Sequence, residues 1–162
     1  MMSVKAMVLA HILMWEGGLS TDPHDPGGLT KYGISSASYP NVNIRELSQE
    51  QALAIYEQDF WFGLQLPELP PAVAFVVMDT AINMGPYTAV TLLQKTIGQV
   101  RVDGILGPET KMRTHELNPE YVARELTALR LWEYAQYRDF NRYGKGWVRR
   151  SVSTLSAALE LR

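Results

Sequence analysis

Apolar residues recur at helical spacing along most of this 162-residue chain. In the first segment the apolar positions share one helical face: Val4, Val8, Ile12 and Trp15. Residues that favour helix ends stand at the borders of the later segments: Ser48 with Gln51, Pro71, Pro86, Gly98 and the pair Asn118 and Pro119. Strand signals are weak and confined to one short ribbon between residues 29 and 44. The sequence therefore predicts a mainly α fold with at most a short β-ribbon and a loop-rich stretch over residues 17–40.

The C-terminal half is predicted to contain two long helices. The first begins at Asn118 and Pro119, ends near Gly144, and has these residues on one side: Val122, Leu126, Leu129 and Trp132 or Glu133. The second covers residues 147–159. A soft boundary at Gly85 separates an N-terminal lobe, 1–85, from a helical lobe, 86–162. Because that break is too short for a flexible linker, we expect one compact domain over residues 1–162.

Composition excludes several classes of protein. The hydrophobic fraction of 46% can form a core, so the chain is not expected to be disordered. A net charge of −2 argues against a dedicated nucleic-acid binder. Cysteine is absent, which rules out disulfides and thiolate metal sites. No metal-ligand spacing joins His11, His24 and His115, so we expect neither a metal nor another cofactor.

The apolar N-terminus resembles a secretory signal in composition alone. Lys5 is its one basic residue, His11 interrupts the apolar run, and no small-residue cleavage site follows. An amphipathic first helix is the better interpretation, and we expect synthesis in the cytoplasm without a signal peptide. No apolar stretch is long enough to span a membrane.

The stretch 138–150 is basic in an otherwise acidic chain. Its charged residues are Arg138, Asp139, Arg142, Lys145, Arg149 and Arg150. The ordinary interpretation is a solvated helix end. The alternative is a surface that attracts an anionic polymer such as the cell wall.

Glu16 is the most unusual carboxylate of the chain. It directly follows Trp15 at the end of the first predicted helix and precedes Gly17 and Gly18. The negative end of the helix dipole and the apolar neighbour both favour the protonated carboxylic acid. Such a group could deliver a proton to a glycosidic oxygen, whereas an ordinary exposed glutamate at a helix end could not do so well.

The loop after Glu16 contains two Asp-Pro pairs, at residues 22–23 and 25–26, and the glycines Gly27 and Gly28. Asp-Pro pairs form turns, and the carboxylates can cap amides within the loop, so either aspartate could be structural. The spacing does not match the EF-hand pattern of a calcium loop.

These residues carry a resemblance to a known family. Glu-Gly-Gly at 16–18, Asp-Pro-Gly-Gly at 25–28 and Thr-x-x-Gly-Ile at 30–34 resemble glycoside hydrolase family 108, the phage and bacterial N-acetylmuramidases. Two further stretches resemble the same family: 79–85, similar to its Asp-x-Ala-x-Asn-x-Gly helix end, and 93–110, similar to a C-terminal part described as peptidoglycan-binding. Leu19 departs from the pattern, because an aromatic residue is common there.

The resemblance implies a lysozyme-like helical fold, with 1–85 as the catalytic lobe, and hydrolysis of the bond between N-acetylmuramic acid and N-acetylglucosamine. It implies Glu16 as the general acid, with Asp25 and Thr30 as the other catalytic residues. Substrate binding is expected at Asn83, Tyr32 and Tyr87, and the expected partner of this monomer is the peptidoglycan strand at the cell wall.

Several alternatives stay open at this point. Asp79 and the stretch 103–110 could be purely structural. Most of the aromatics Tyr32, Tyr87, Trp132, Tyr134, Tyr137 and Trp147 are expected in the core, although any of them could stack on a sugar. Sequence does not give the distance between carboxyl groups that separates retention from inversion, and the resemblance favours inversion. The competing functions are a lytic transglycosylase, which forms 1,6-anhydro products, and a non-catalytic wall-binding module.

Overall fold

The computed structural model describes residues 2–20 and 28–161. The chain forms two compact units, Met1–Asp59 and Phe60–Arg162. The boundary expected at Gly85 stays a prediction, although both helices that Gly85 joins belong to the second unit.

The described residues of the first unit form two α-helices and one antiparallel ribbon. Helix α1 spans Val4–Trp15, and the Ser3 side chain caps it by accepting a hydrogen bond from the Ala6 N–H. Strands β1, Thr30–Lys31, and β2, Ile34–Ser35, pair with Thr30 opposite Ser35. Helix α2, Gln49–Tyr56, begins at the predicted capping box of Ser48 and Gln51. A π-helical turn, Glu57–Phe62, follows it.

The second unit is built around a buried helix. A short 3₁₀ helix, Leu66–Glu68, precedes α3, Pro71–Met84. The other helices are α4, Pro86–Ile97; α5, Pro108–Glu116; α6, Pro119–Ala135; and α7, Phe140–Leu159. Helix α3 packs against α4, α6 and α7, and its residues 72–81 are buried on every side. A helix covered all round in this way forms the centre of its unit. The predicted starts at Pro71, Pro86 and Pro119 are confirmed.

A buried ion cluster lies on α3. Asp79 is fully buried and accepts hydrogen bonds from Arg130 at 2.7 Å, Arg150 at 2.9 Å and Thr154 at 3.0 Å. Burial by itself would raise the pKa of Asp79, but the two guanidinium groups hold that pKa below its usual value. This geometry supports the structural alternative for Asp79.

The predicted border near Gly144 is wrong. Helix α6 ends at Ala135, and Gly144 lies buried inside α7. A Cβ atom at Gly144 would come within 2.8 Å of the Phe140 ring. The glycine therefore allows a close ring contact within the helix, although glycine there disfavours a helix by about 0.5–1 kcal/mol relative to alanine.

On the predicted side of α6 the choice of Trp132 is wrong, whereas its alternative, Glu133, is half-buried. Trp132 is 63% exposed, whereas Arg130 and Tyr134 are buried. Arg130 faces inward because it pairs with Asp79, and the Tyr134 ring stacks on Trp147 at 4.8 Å between centroids. The expectation that most of the six aromatics lie in the core is also wrong, since Tyr134 is the one fully covered.

The basic stretch also needs a correction. Arg150 is buried against Asp79 and does not contribute to the surface. The exposed cations of this stretch are Arg138, Arg142, Lys145 and Arg149.

Within residues 2–20 and 28–161, no helix combines the length and the apolar character that crossing a membrane requires.

Candidate active site

Glu16 ends the first helix, as predicted. It is the C-terminal cap residue of α1, with extended backbone angles of φ −82° and ψ 122°, and its N–H donates to the Ile12 carbonyl. Its side chain is half-buried. One residue earlier, Trp15 packs near the buried His11 ring, with 6.4 Å between ring centroids. The Glu16 carboxyl group therefore lies at the negative end of the helix dipole, and the side chain of the preceding residue, Trp15, is apolar.

The segment after Glu16 runs beside the ribbon. The Tyr32 N–H donates to the Gly17 carbonyl at 3.1 Å. Ser20 and Thr30 exchange two backbone hydrogen bonds, of 2.7 and 3.1 Å. These bonds fix the ribbon next to the end of α1.

A two-residue turn, Tyr32 and Gly33, joins the two strands. Both residues have positive φ, 51° and 76°. A tight hairpin of type I′ requires this conformation at both central positions, which glycine adopts freely and tyrosine does not. The turn therefore needs support from other contacts.

The turn and the Glu16 carboxyl group are in close contact. A Cβ atom at Gly33 would lie 2.6 Å from Glu16 Oε2 and 2.7 Å from Glu16 Cδ, and it would also collide with the Tyr56 hydroxyl. Tyr56, at the end of α2, is 1% exposed and donates a hydrogen bond of 2.7 Å to the Tyr32 carbonyl. Glu16, Gly33 and Tyr56 thus border one small space.

Of the other two predicted catalytic residues, the structure describes Thr30 only. Thr30 lies on β1, half-buried, and its hydroxyl group donates to the Gly28 carbonyl at 3.4 Å. Asp25 lies outside the described residues. The structure therefore brings the ribbon of Thr30 and Tyr32 to Glu16, while the role of Asp25 stays a prediction.

Two predicted substrate-binding residues lie in the second unit. Asn83, on α3, is half-buried and donates to the Asp79 carbonyl at 2.9 Å. Tyr87, on α4, is 67% exposed, and its ring lies against Gly104, where a Cβ atom would collide with it. Their contact with substrate stays a prediction, as does that of Tyr32.

A buried glutamine organises the stretch 103–110. Gln94 donates to Asp103 Oδ1, the Ile105 carbonyl and the Thr110 hydroxyl group, and it accepts from the N–H groups of Asp103 and Gly104. The hydrogen bonds from Gln94 and from the Ile105 N–H lower the pKa of Asp103. This network explains the motif structurally and holds Gly104 under the Tyr87 ring.

Tyr56 and Gln94 are the residues whose local roles the sequence did not reveal. Tyr56 stands at helical spacing from the apolar residues Ala52 and Phe60, and nothing in that spacing indicates a partner at Tyr32. Among the described residues, no group of three or more His, Asp or Glu side chains could hold a metal ion.

Comparison with known proteins identifies the family of this chain. Residues 9–85 match the family model of glycosyl hydrolase 108. A solved structure, SagA of Brucella abortus, is 32% identical, with a TM-score of 0.88 over 97% of this chain and 94% of SagA. The chain belongs to glycosyl hydrolase family 108. No curated protein matches it.

Membership confirms the resemblance and the mainly α, lysozyme-like fold. This family 108 member is a glycoside hydrolase that acts on peptidoglycan. The matched range, 9–85, includes both Glu16 and Tyr56.

Proposed function

We propose that the protein is an N-acetylmuramidase, hydrolysing the β-1,4 bond between N-acetylmuramic acid and N-acetylglucosamine with Glu16 as the general acid. The observation that carries this proposal is the contact of the Glu16 carboxyl group with the Tyr32–Gly33 turn at the end of α1. A carboxyl group held against a fixed turn can be aimed at a leaving oxygen, which a mobile surface glutamate cannot do.

The second half of the reaction needs a nucleophile or an activated water. We assign water binding to Asp25 and Thr30, on the family resemblance and on the place of Thr30 in the ribbon beside Glu16. Because the sequence predicts a glycine-rich loop at Asp25, we favour a water-positioning role over direct attack on the sugar. Inversion of the anomeric carbon follows from that choice.

Substrate contacts are assigned to Tyr32, Asn83 and Tyr87. Tyr87 is well suited to stack on a sugar face because it is mostly exposed and its ring rests on Gly104, which limits its motion. Aromatic rings held in this way give contact area at little entropic cost.

Digestion of purified sacculi in H₂¹⁸O tests the reaction and the bond together. We expect muropeptides that end in reducing N-acetylmuramic acid, each carrying one ¹⁸O atom by mass spectrometry. NMR of the fresh product should show the α-anomer, because inversion at a β-linked carbon gives that configuration first.

Other products would identify the competing reactions. Unlabelled 1,6-anhydro ends would establish a lytic transglycosylase, and reducing N-acetylglucosamine ends would establish cleavage of the other glycosidic bond. An initial β-anomer would mean retention. Binding to sacculi without any release of fragments would establish that the protein is a non-catalytic wall-binding module.

We further propose that the exposed cations of α7 strengthen attachment to the anionic wall. Arg142, Lys145 and Arg149 are separated by three and four residues, so they share one helical face. Beside them is an apolar groove of about 380 Å³ lined by Phe140, Gly144, Lys145, Val148 and Arg149. No residue of this face is assigned to bond cleavage.

Replacing Arg142, Lys145 and Arg149 together with Gln should weaken binding to sacculi severalfold at low salt. Screening shortens the Debye length from about 30 Å at 0.01 M to about 3 Å at 1 M, so the difference should vanish at high salt. Co-sedimentation measures this binding. The matched control replaces the exposed cations Lys95, Arg101 and Arg124 with Gln and changes the net charge equally. Unchanged binding at low salt would contradict the proposal, and so would loss of turnover on soluble muropeptides.

A further inference from the structure

We infer that Tyr56 is a positioning residue for Glu16, acting through the Tyr32–Gly33 turn. The inference rests on the proposed role of Glu16 as the acid. It assigns a function to the end of α2, a part of the chain in which neither the motif nor the family resemblance indicates a site residue.

The first step is the support of the turn. Tyr32 has a φ of 51°, a conformation that disfavours residues other than glycine. The Tyr56 hydroxyl group donates to the Tyr32 carbonyl at 2.7 Å and is the anchor that α2 supplies to this turn. Since Tyr56 is 1% exposed, its ring is held by packing and the anchor is rigid.

The second step is the contact between the turn and Glu16. The Glu16 carboxyl group and the Tyr56 hydroxyl group both border the space above the Gly33 Cα atom, where a Cβ atom would collide with each of them. The absence of a side chain at residue 33 is therefore a requirement of the site. If the turn moved, the surface against which the carboxyl group rests would move with it.

Replacement of Tyr56 with Phe tests the inference, because it removes the hydroxyl group and keeps the ring. We expect kcat on soluble muropeptides to fall at least about tenfold, while KM changes less than about twofold, because positioning of the acid affects the transition state and not ground-state binding. The matched control is Tyr39→Phe, which removes another hydroxyl group of the same unit. That hydroxyl group donates a hydrogen bond of 2.8 Å to Asp59. That control should retain the parent kcat.

A second pair of variants does not depend on Tyr56. Gly33→Ala places a methyl group in the space between Glu16 and Tyr56, whereas Gly98→Ala imposes a similar strain at φ 59° with nothing within 4 Å. Both should lower the melting temperature, but we expect Gly33→Ala alone to lower kcat, by at least about a hundredfold. A folded Gly33→Ala protein with the parent kcat would overturn the inference even if Tyr56→Phe does not fold, because it would show that the turn does not position Glu16.

The outcomes separate this inference from the proposed function. If Glu16→Gln is inactive while Tyr56→Phe keeps the parent kcat, the positioning role of Tyr56 is wrong and the acid assignment stands. If the apparent kcat of Tyr56→Phe falls only in proportion to the loss of folded protein, so that kcat per folded molecule equals the parent value, Tyr56 is structural only. If Glu16→Gln is active, the acid assignment fails first.

Discussion

Replacing Glu16 with Gln should reduce the clearing of cell-wall suspensions by at least about a hundredfold. The substitution keeps the shape of the side chain and its fit against the Tyr32–Gly33 turn, but an amide has no acidic proton to give to the leaving oxygen. Turbidity loss with purified sacculi measures the effect.

The Glu16→Gln protein should keep the parent melting temperature and still sediment with sacculi, because the change leaves the fold and the exposed cations of α7 untouched. Glu46→Gln is the matched control, since it neutralises an exposed carboxylate of the same unit that accepts a hydrogen bond from Asn43. That variant should clear cell walls at the parent rate. Near-normal clearing by a folded Glu16→Gln protein would reject Glu16 as the acid.

Much of the first unit could be predicted because its determinants are local. The apolar run before Glu16 and the two glycines after it place the carboxyl group at a helix end. The capping box of Ser48 and Gln51 gives the start of α2. Signals of this kind lie within a few residues of the structure they specify, so the sequence contains them directly.

The contacts that complete the site and the core are long-range, and no local pattern contains them. Tyr56 reaches the Tyr32 carbonyl across 24 positions, and Asp79 reaches Arg130 and Arg150 across 51 and 71. The sequence therefore indicated that Arg150 belongs to a basic surface, because a run of charges is visible in the sequence. Its pairing with Asp79 depends on residues that come together only in the folded chain.

Glycine was ambiguous for a related reason. Gly98 and Gly144 have the same side chain, yet the first ends α4 and the second lies inside α7. What distinguishes them is the Phe140 ring, which contacts Gly144 closely. Sequence shows where a close approach is permitted, but the contact itself appears only in the folded chain.

Removal of the Asp79 carboxylate should be the most damaging change to stability. The Asp79→Asn substitution leaves two buried guanidinium groups, of Arg130 and Arg150, without their counter-ion. Breaking a buried ion pair from one side typically lowers the free energy of unfolding by about 3–5 kcal/mol. A urea denaturation curve at pH 7 measures it, with Asp139→Asn, an exposed carboxylate of the same unit, as the control expected within about 0.5 kcal/mol of the parent.

The pH dependence of this loss of unfolding free energy gives a second, independent test of the Asp79 ion cluster. The two arginines lower the pKa of Asp79 in the folded protein below the ordinary value of 3.8. A lowered pKa contributes stability that is complete above pH 3.8 and is lost as the pH falls through the folded-state pKa. The gap in unfolding free energy between parent and Asp79→Asn should therefore be constant from about pH 5 to 8 and narrow only in stronger acid. A gap that widened on acidification, or equal denaturation midpoints at pH 7, would mean that the Asp79 carboxylate does not hold Arg130 and Arg150 in the core.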